Sequence, residues 1–165
     1  LVCFGPGAPV VDGVGVLLRA YVVPGFGPIA DGAQLEGSKA YSKAFMEAND
    51  IPTAAYGRFD DEAAALAYVR GQGAPIVIKA DGLAAGKGVV VAETVEDAEA
   101  AVRACFDGAF GDAGSTVVIE ECMTGPECSL LCFVTAGQSF PMAPAQTPQR
   151  AYDGDLGPNT GRTAG

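Results

Sequence analysis

Two lysines bracket a glycine-rich loop in the stretch Pro75-Ile76-Val77-Ile78-Lys79-Ala80-Asp81-Gly82-Leu83-Ala84-Ala85-Gly86-Lys87-Gly88-Val89-Val90-Val91. Ile76 to Ile78 and Val89 to Val91 are β-branched runs that read as strands, and the loop between them holds three glycines, where a backbone can come close to a ligand. Lys79 follows Val77 with a period of two. It therefore leaves an otherwise apolar strand and needs an anionic partner or a path to water. Triphosphate oxygens suit the pattern, with the loop amides folding over them as a nest and the lysines reaching in. A P-loop does not fit: Gly82 to Gly86 is one residue too short, Gly88 stands where a Ser or Thr would serve magnesium, and a strand follows instead of a helix. The alternative is an ordinary hairpin with solvated lysines.

Two further sets of charges could join that chemistry. Ser38 is a good N-cap, which puts Lys39 in the first turn of a helix, where the helix dipole disfavours a cation by up to about 1 kcal/mol. An anion held there would reverse the effect; a solvated lysine is the alternative. Val117-Val118-Ile119 ends in Glu120-Glu121, and neighbouring carboxylates on a strand point to opposite faces, so at most one aims into a given pocket. Solvation of both is again the alternative. The chain has no histidine, which removes Ser-His and Cys-His nucleophile pairs and the usual general base. Its five cysteines form no CxxC pair and read as small hydrophobes in a reducing compartment, not as a zinc site. Chemistry must then run on Lys, Arg, Asp, Glu, backbone amides or a metal.

The elements that position these groups follow from the hydrophobic pattern. The chain has 165 residues, 49% hydrophobic and 18% charged, enough for a sizeable core in one domain or two small ones. A net charge of -10 argues against a nucleic acid or an anionic membrane as partner, and no apolar run is long enough to span a membrane. Residues 1–34 read as the end of an α/β domain: a strand at Val2 to Phe4, a helix from Val10 to Ala20, a strand at Tyr21 to Val23 and an exit at Pro24 to Pro28. Residues 35–165 form a second region. Its first helix starts at Ser38 and carries Tyr41 and Phe45 on one face. From Ile51 the order is strand, helix, strand, loop, strand, helix, strand, with Asp60 capping the first of these helices and Thr94 with Asp97 the second. Ala65, Leu66 and Val69, and likewise Val95, Ala98, Val102 and Cys105, are the inward faces. Two helices on one face of a largely antiparallel sheet make an α+β unit over residues 53–122. A turn at Thr124-Gly125-Pro126 leads through residues 123–165, which begin another subdomain with a strand from Ser129 to Thr135.

Taken together, Gln34-Leu35-Glu36-Gly37-Ser38-Lys39, the Pro75 to Gly88 stretch, Val118-Ile119-Glu120-Glu121 and Gly157-Pro158-Asn159-Thr160-Gly161 resemble the glycinamide ribonucleotide synthetase (phosphoribosylamine-glycine ligase) family of the ATP-grasp superfamily. The resemblance implies an ATP-grasp fold and a cytoplasmic enzyme of de novo purine synthesis. ATP would phosphorylate the glycine carboxylate, and the amine of 5-phosphoribosylamine would attack the acyl phosphate. It further implies that Lys39 and Lys79 hold ATP phosphates, and that Asp81 to Val89, with Gly82, Gly86, Lys87 and Gly88, form a flexible cover. Glu120, Glu121, Cys122 and Met123 would be the hinge, with one carboxylate reading adenine, and Glu127 would take the ribose hydroxyls. Arg150, Asp153, Asp155, Asn159, Thr160 and Gly161 would face the phosphoribosylamine and glycine. No general base is needed, because phosphoryl transfer is mostly positioning and charge neutralisation. The magnesium (or manganese) ligands of the family are expected beyond Gly165, so the chain reads as an internal piece with no metal ligand of its own. Thr147-Pro148-Gln149 stand where the family carries Asp-His-Lys, which keeps open an ATP-binding module or inactive paralogue without substrate chemistry. A biotin-carboxylase-like ATP-grasp ligase is the other alternative, and the Gly157 to Gly161 turn argues against it.

Overall fold

The computed structural model describes residues 1–4, 7–82, 88–135, 137–146, 150–152 and 156–159, the last two stretches by their backbone, with the Tyr152 side chain in addition. The chain divides into two compact units, Leu1–Cys122 and Met123–Gly165.

The first unit opens with β1 (Val2–Cys3), α1 (Ala8–Val11), α2 (Val14–Ala20), β2 (Gly25–Phe26), α3 (Ala30–Gly37) and α4 (Lys39–Ala48). The expected single helix from Val10 to Ala20 is two helices. Gly13, at φ 96, takes the left-handed conformation between them, which glycine adopts without steric cost. The strand that pairs with β1, in parallel, is Gly25–Phe26, not Tyr21 to Val23. Tyr21 instead caps α2 and Val22 has φ 58, so the chain turns where a strand was expected. α3 was not foreseen, because its run of Ala, Asp, Gly and Gln carries almost no apolar stripe. Ser38 separates α3 from α4: its backbone is extended, and its hydroxyl accepts the Tyr41 amide as an N-cap.

Then come β3 (Tyr56–Phe59), α5 (Glu62–Gln72), β4 (Ile76–Ala80), β5 (Val89–Ala92), α6 (Val95–Phe106) and β6 (Val117–Glu121), the order expected from the sequence. The four strands form one sheet in the order β3-β6-β4-β5, antiparallel throughout. β6 enters last and lies between β3 and β4. One face of the sheet is the core, where Ile76, Ile78, Ala80, Val117 and Ile119 meet Ala65, Leu66 and Val69 of α5 and Ala98, Val102 and Cys105 of α6. The cap of α5 is Asp61, which accepts the Ala64 amide, one residue later than expected. Asp60 instead accepts the Thr116 hydroxyl at 2.6 Å and pairs with Arg58. At α6, Thr94 accepts the Asp97 amide and donates its hydroxyl to the Asp97 carboxylate.

The second unit holds the hairpin β7 (Cys132–Thr135) with β8 (Gln138–Pro141), and the pair β9 (Arg150–Tyr152) with β10 (Leu156–Asn159). The strand expected from Ser129 starts at Cys132, and Ser129 forms an isolated bridge with Ala145. Phe133, Val134 and Phe140 are exposed on the hairpin.

Candidate functional site

The alternation that sends Ile76, Ile78 and Ala80 to the core sends Val77 and Lys79 to the opposite face of the sheet. On β6 the same alternation sends Val118 and Glu120 there, and Val118 lies directly across from Lys79 in the β4–β6 register. The Lys79 amine pairs with Glu120 Oε1 at 2.9 Å. The other carboxylate oxygen, Oε2, is taken at 3.0 Å by Lys43, which comes from α4. Lys43 is 5% exposed and Glu120 6%, so this is a buried ion pair. Lys43 also donates to Thr53 Oγ1 at 2.7 Å and to the Ala54 carbonyl at 3.1 Å, and its amine lies 5.3 Å from the centre of the Tyr56 ring. Of the neighbouring carboxylates, Glu120 faces inward and Glu121 is exposed.

The N-terminus of α4 meets the end of β4 beside this cluster. Lys39 donates to the carbonyls of Ala80, Asp81 and Gly82 at 2.7, 3.3 and 3.0 Å. The Asp81 carboxylate accepts the Ala40 amide at 2.6 Å and the Ser38 hydroxyl, placing a negative charge at the start of α4 where the helix dipole favours it. The dipole cost foreseen for Lys39 is thus offset by Asp81 and by three carbonyls, so Lys39 is not the solvated side chain of the alternative reading. Burial holds the Lys39 pKa below the ordinary lysine value. The nearby Lys79 charge lowers it further, against the opposing pull of Asp81 and Glu120.

Asp81 and Gly82, expected in a flexible cover, are held at its foot. The Asp81 amide donates to Thr116, its carbonyl accepts the Lys39 amide, and the Gly82 carbonyl is bound by Lys39. Gly88 accepts the Ala80 amide, and Val89 is the register partner of Lys79. In the first unit the fold therefore brings together Lys39, Lys79, Asp81, Gly82, Gly88, Val89 and Glu120, with Glu121 and Cys122 at the end of β6. Met123 and Glu127 are exposed residues of the second unit. Arg150 and Asn159 are register partners in the β9–β10 pair. Gly86 and Lys87, with the rest of the cover over residues 83–87, lie outside the described residues, as do Asp153, Asp155, Thr160 and Gly161.

Sequence reasoning missed Lys43. The signal was available: Lys39 and Lys43 are spaced i, i+4 on α4, where like charges repel unless an anion lies between or below them. Lys39, Lys43 and Lys79 stand against the carboxylates of Glu120 and Asp81, a local excess of positive charge in a chain of net charge -10. That excess fits an anionic group such as a polyphosphate. Among the described residues no group of three His, Cys, Asp or Glu side chains could hold a metal ion. Among the described residues no helix is long and apolar enough to cross a membrane.

Comparison with known proteins bears on the family and the fold. The sequence model of the phosphoribosylglycinamide synthetase ATP-grasp (A) domain matches residues 37–164. A phosphoribosylamine-glycine ligase of Mesorhizobium japonicum is 55% identical over 161 residues, 98% of this chain and 38% of the relative. The crystal structure of the phosphoribosylamine-glycine ligase of Thermotoga maritima superposes with a TM-score of 0.75 at 35% identity, over 82% of this chain and 35% of that one. The biotin carboxylase domain of the Hydrogenobacter thermophilus 2-oxoglutarate carboxylase, solved with MgADP, ADP and bicarbonate, shares the fold at a TM-score of 0.61 and 22% identity, over 76% of this chain and 29% of that one. The chain spans about two fifths of the length of the curated relatives it matches. With its α5/α6-covered antiparallel sheet and its lysine-lined opposite face, the chain belongs to the phosphoribosylglycinamide synthetase ATP-grasp (A) domain family.

Proposed function

We propose that this chain supplies the ATP-binding part of a phosphoribosylamine-glycine ligase, which joins glycine to 5-phosphoribosylamine and yields glycinamide ribonucleotide, ADP and phosphate in de novo purine synthesis. The observation that carries the reading is the paired Lys79 and Glu120 on the open face of an ATP-grasp sheet, with Lys39 beside them. Lys79 keeps 27% of its side chain open to solvent, so it can give N–H groups to phosphate oxygens without leaving Glu120. Lys39 would exchange a carbonyl partner for phosphate. In this reading the loop between Gly82 and Gly88 is the cover over the phosphates, Glu121 to Met123 border the adenine, and Glu127 takes the ribose hydroxyls. The Glu120 carboxylate, held by two ammoniums, serves the phosphate side in preference to adenine.

In the reaction, the γ-phosphoryl group passes to a glycine carboxylate oxygen with release of ADP. The amine of phosphoribosylamine then attacks the carbonyl of the glycyl phosphate, and phosphate leaves as the amide C–N bond forms. Arg150, Asp153, Asp155, Asn159, Thr160 and Gly161 are the substrate-side residues in this reading. The lysines act by positioning and by neutralising charge. The reading includes Mg2+ or Mn2+ as cofactor, with no ligand to the ion among the described residues. The reading places the protein in the cytoplasm with small-molecule substrates alone.

The test is a chimaera in which this chain replaces the matching 161-residue stretch of the Mesorhizobium japonicum relative. ADP release that requires both glycine and phosphoribosylamine is expected. ATP binding without glycine-dependent ADP release would reduce the chain to a nucleotide-binding module.

A further inference from the structure

We infer that Lys43 is a positioning residue for nucleotide binding: through Glu120 it sets the place and the net charge of the Lys79 amine. The inference rests on the reading of Lys79 as a phosphate ligand and extends it to a residue that never meets the nucleotide. Lys43 has three N–H donors and three fixed acceptors, Glu120 Oε2, Thr53 Oγ1 and the Ala54 carbonyl, and its side chain is 7% exposed. It has neither a donor to spare nor a path to a ligand. Glu120 is held differently: each carboxylate oxygen has its own lysine, Oε1 on Lys79 and Oε2 on Lys43. That arrangement fixes the carboxylate plane, so the position of Lys79 Nζ on one side follows from the anchor on the other.

The charge count points the same way. Lys43 and Lys79 with Glu120 carry a net positive charge. Without Lys43, Lys79 and Glu120 are a neutral pair, and the freed Oε2 can turn to Lys79 and compete with phosphate for its N–H groups. A buried carboxylate is also unstable with too few partners, which strengthens that pull. Lys43 can hold its post because Ser38 caps α4, and the Tyr56 ring and the Thr53 hydroxyl receive the amine where it ends.

Calorimetric titration of the full chain with ATP and with adenosine tests this in the parent, Lys43→Met, Lys79→Met and the double variant, each first shown to be folded. Lys43→Met should weaken ATP binding about tenfold, the scale of coupling between contacting charged residues, and leave adenosine binding unchanged. In the Lys79→Met background the same substitution should have no further effect on ATP, and Lys43→Arg should recover most of the loss. Should Lys43→Met fail to fold, Lys43→Gln, which keeps a donor for Thr53 without the charge, takes its place in the cycle. An equal loss of ATP affinity from the Lys43 change with or without Lys79 would overturn the positioning role, as would an equal loss for adenosine. Unchanged ATP affinity in Lys79→Met alone would instead overturn the phosphate reading on which the inference stands.

Discussion

The two faces of one sheet in this chain are built from the same strands by opposite means. On the helix-covered face, Ile78, Val117 and Ile119 are fully enclosed by α5 and α6, and the stabilisation is apolar burial and close packing. On the other face, one residue further along each strand, Glu120 is buried and Lys79 partly so, and each charge has a partner. The first face demands apolar side chains of suitable shape, while the second demands a specific set of charges. The comparison teaches that the apolar face makes the fold and the charged face gives the fold something to bind.

Ile119 and Glu120 are neighbours on β6 that separate these two means. Ile119→Ala should cost about 2 to 5 kcal/mol by leaving a cavity, and Glu120→Ala about 3 to 5 kcal/mol by leaving Lys43 buried without its carboxylate. Denaturant unfolding measures both. The sharper outcome is in ATP affinity, which Glu120→Ala should lower and Ile119→Ala should leave alone in the folded protein. Matching changes in both variants would erase the distinction between the faces.

A pH titration sharpens the charged face further. Burial lowers the Lys39 pKa, so its ammonium is lost as pH rises through a value below the ordinary lysine value. Its contribution to ATP affinity should be flat below that value and fall above it. Lys39→Arg, which stays charged, should hold its affinity to higher pH. A parallel decline in both proteins would place the titration elsewhere. For stability the sign is reversed: the unfolded chain binds this proton more tightly, so the penalty of holding Lys39 charged in the fold fades as pH rises toward 10.5.

The smallest effect belongs to Glu121. It is exposed at the end of β6, and Glu121→Ala should change stability by no more than about 0.5 kcal/mol. Thermal unfolding beside Glu120→Ala compares two adjacent carboxylates, one exposed and one buried against Lys43 and Lys79.

Much of this was legible in the sequence, for definite reasons. The run from β3 to β6 carries clean signals: β-branched strands, Thr94 as a cap, and an apolar stripe through Ala98, Val102 and Cys105. The pleat alone announced that only one of Glu120 and Glu121 could face inward. The first 37 residues were harder, since a glycine break at Gly13 and a helix with little apolar stripe at Ala30–Gly37 leave no periodicity to read. Lys43 was missed because a lysine between Tyr41 and Phe45 looks like the solvated side of a helix. In the structure the aromatic pair is exposed and the lysine is buried. Its burial depends on Glu120, which is 77 positions away in the chain, and no local pattern reports such a partner.

The most direct test of the central claim is the difference in affinity between ATP and adenosine, measured by calorimetry in the parent chain and in Lys79→Met. If the charged face is a phosphate site, ATP binds more tightly than adenosine in the parent. Removing the amine should cost about 2 to 4 kcal/mol of ATP binding and leave adenosine untouched. Equal affinity of parent and variant for ATP, with both folded, would contradict it.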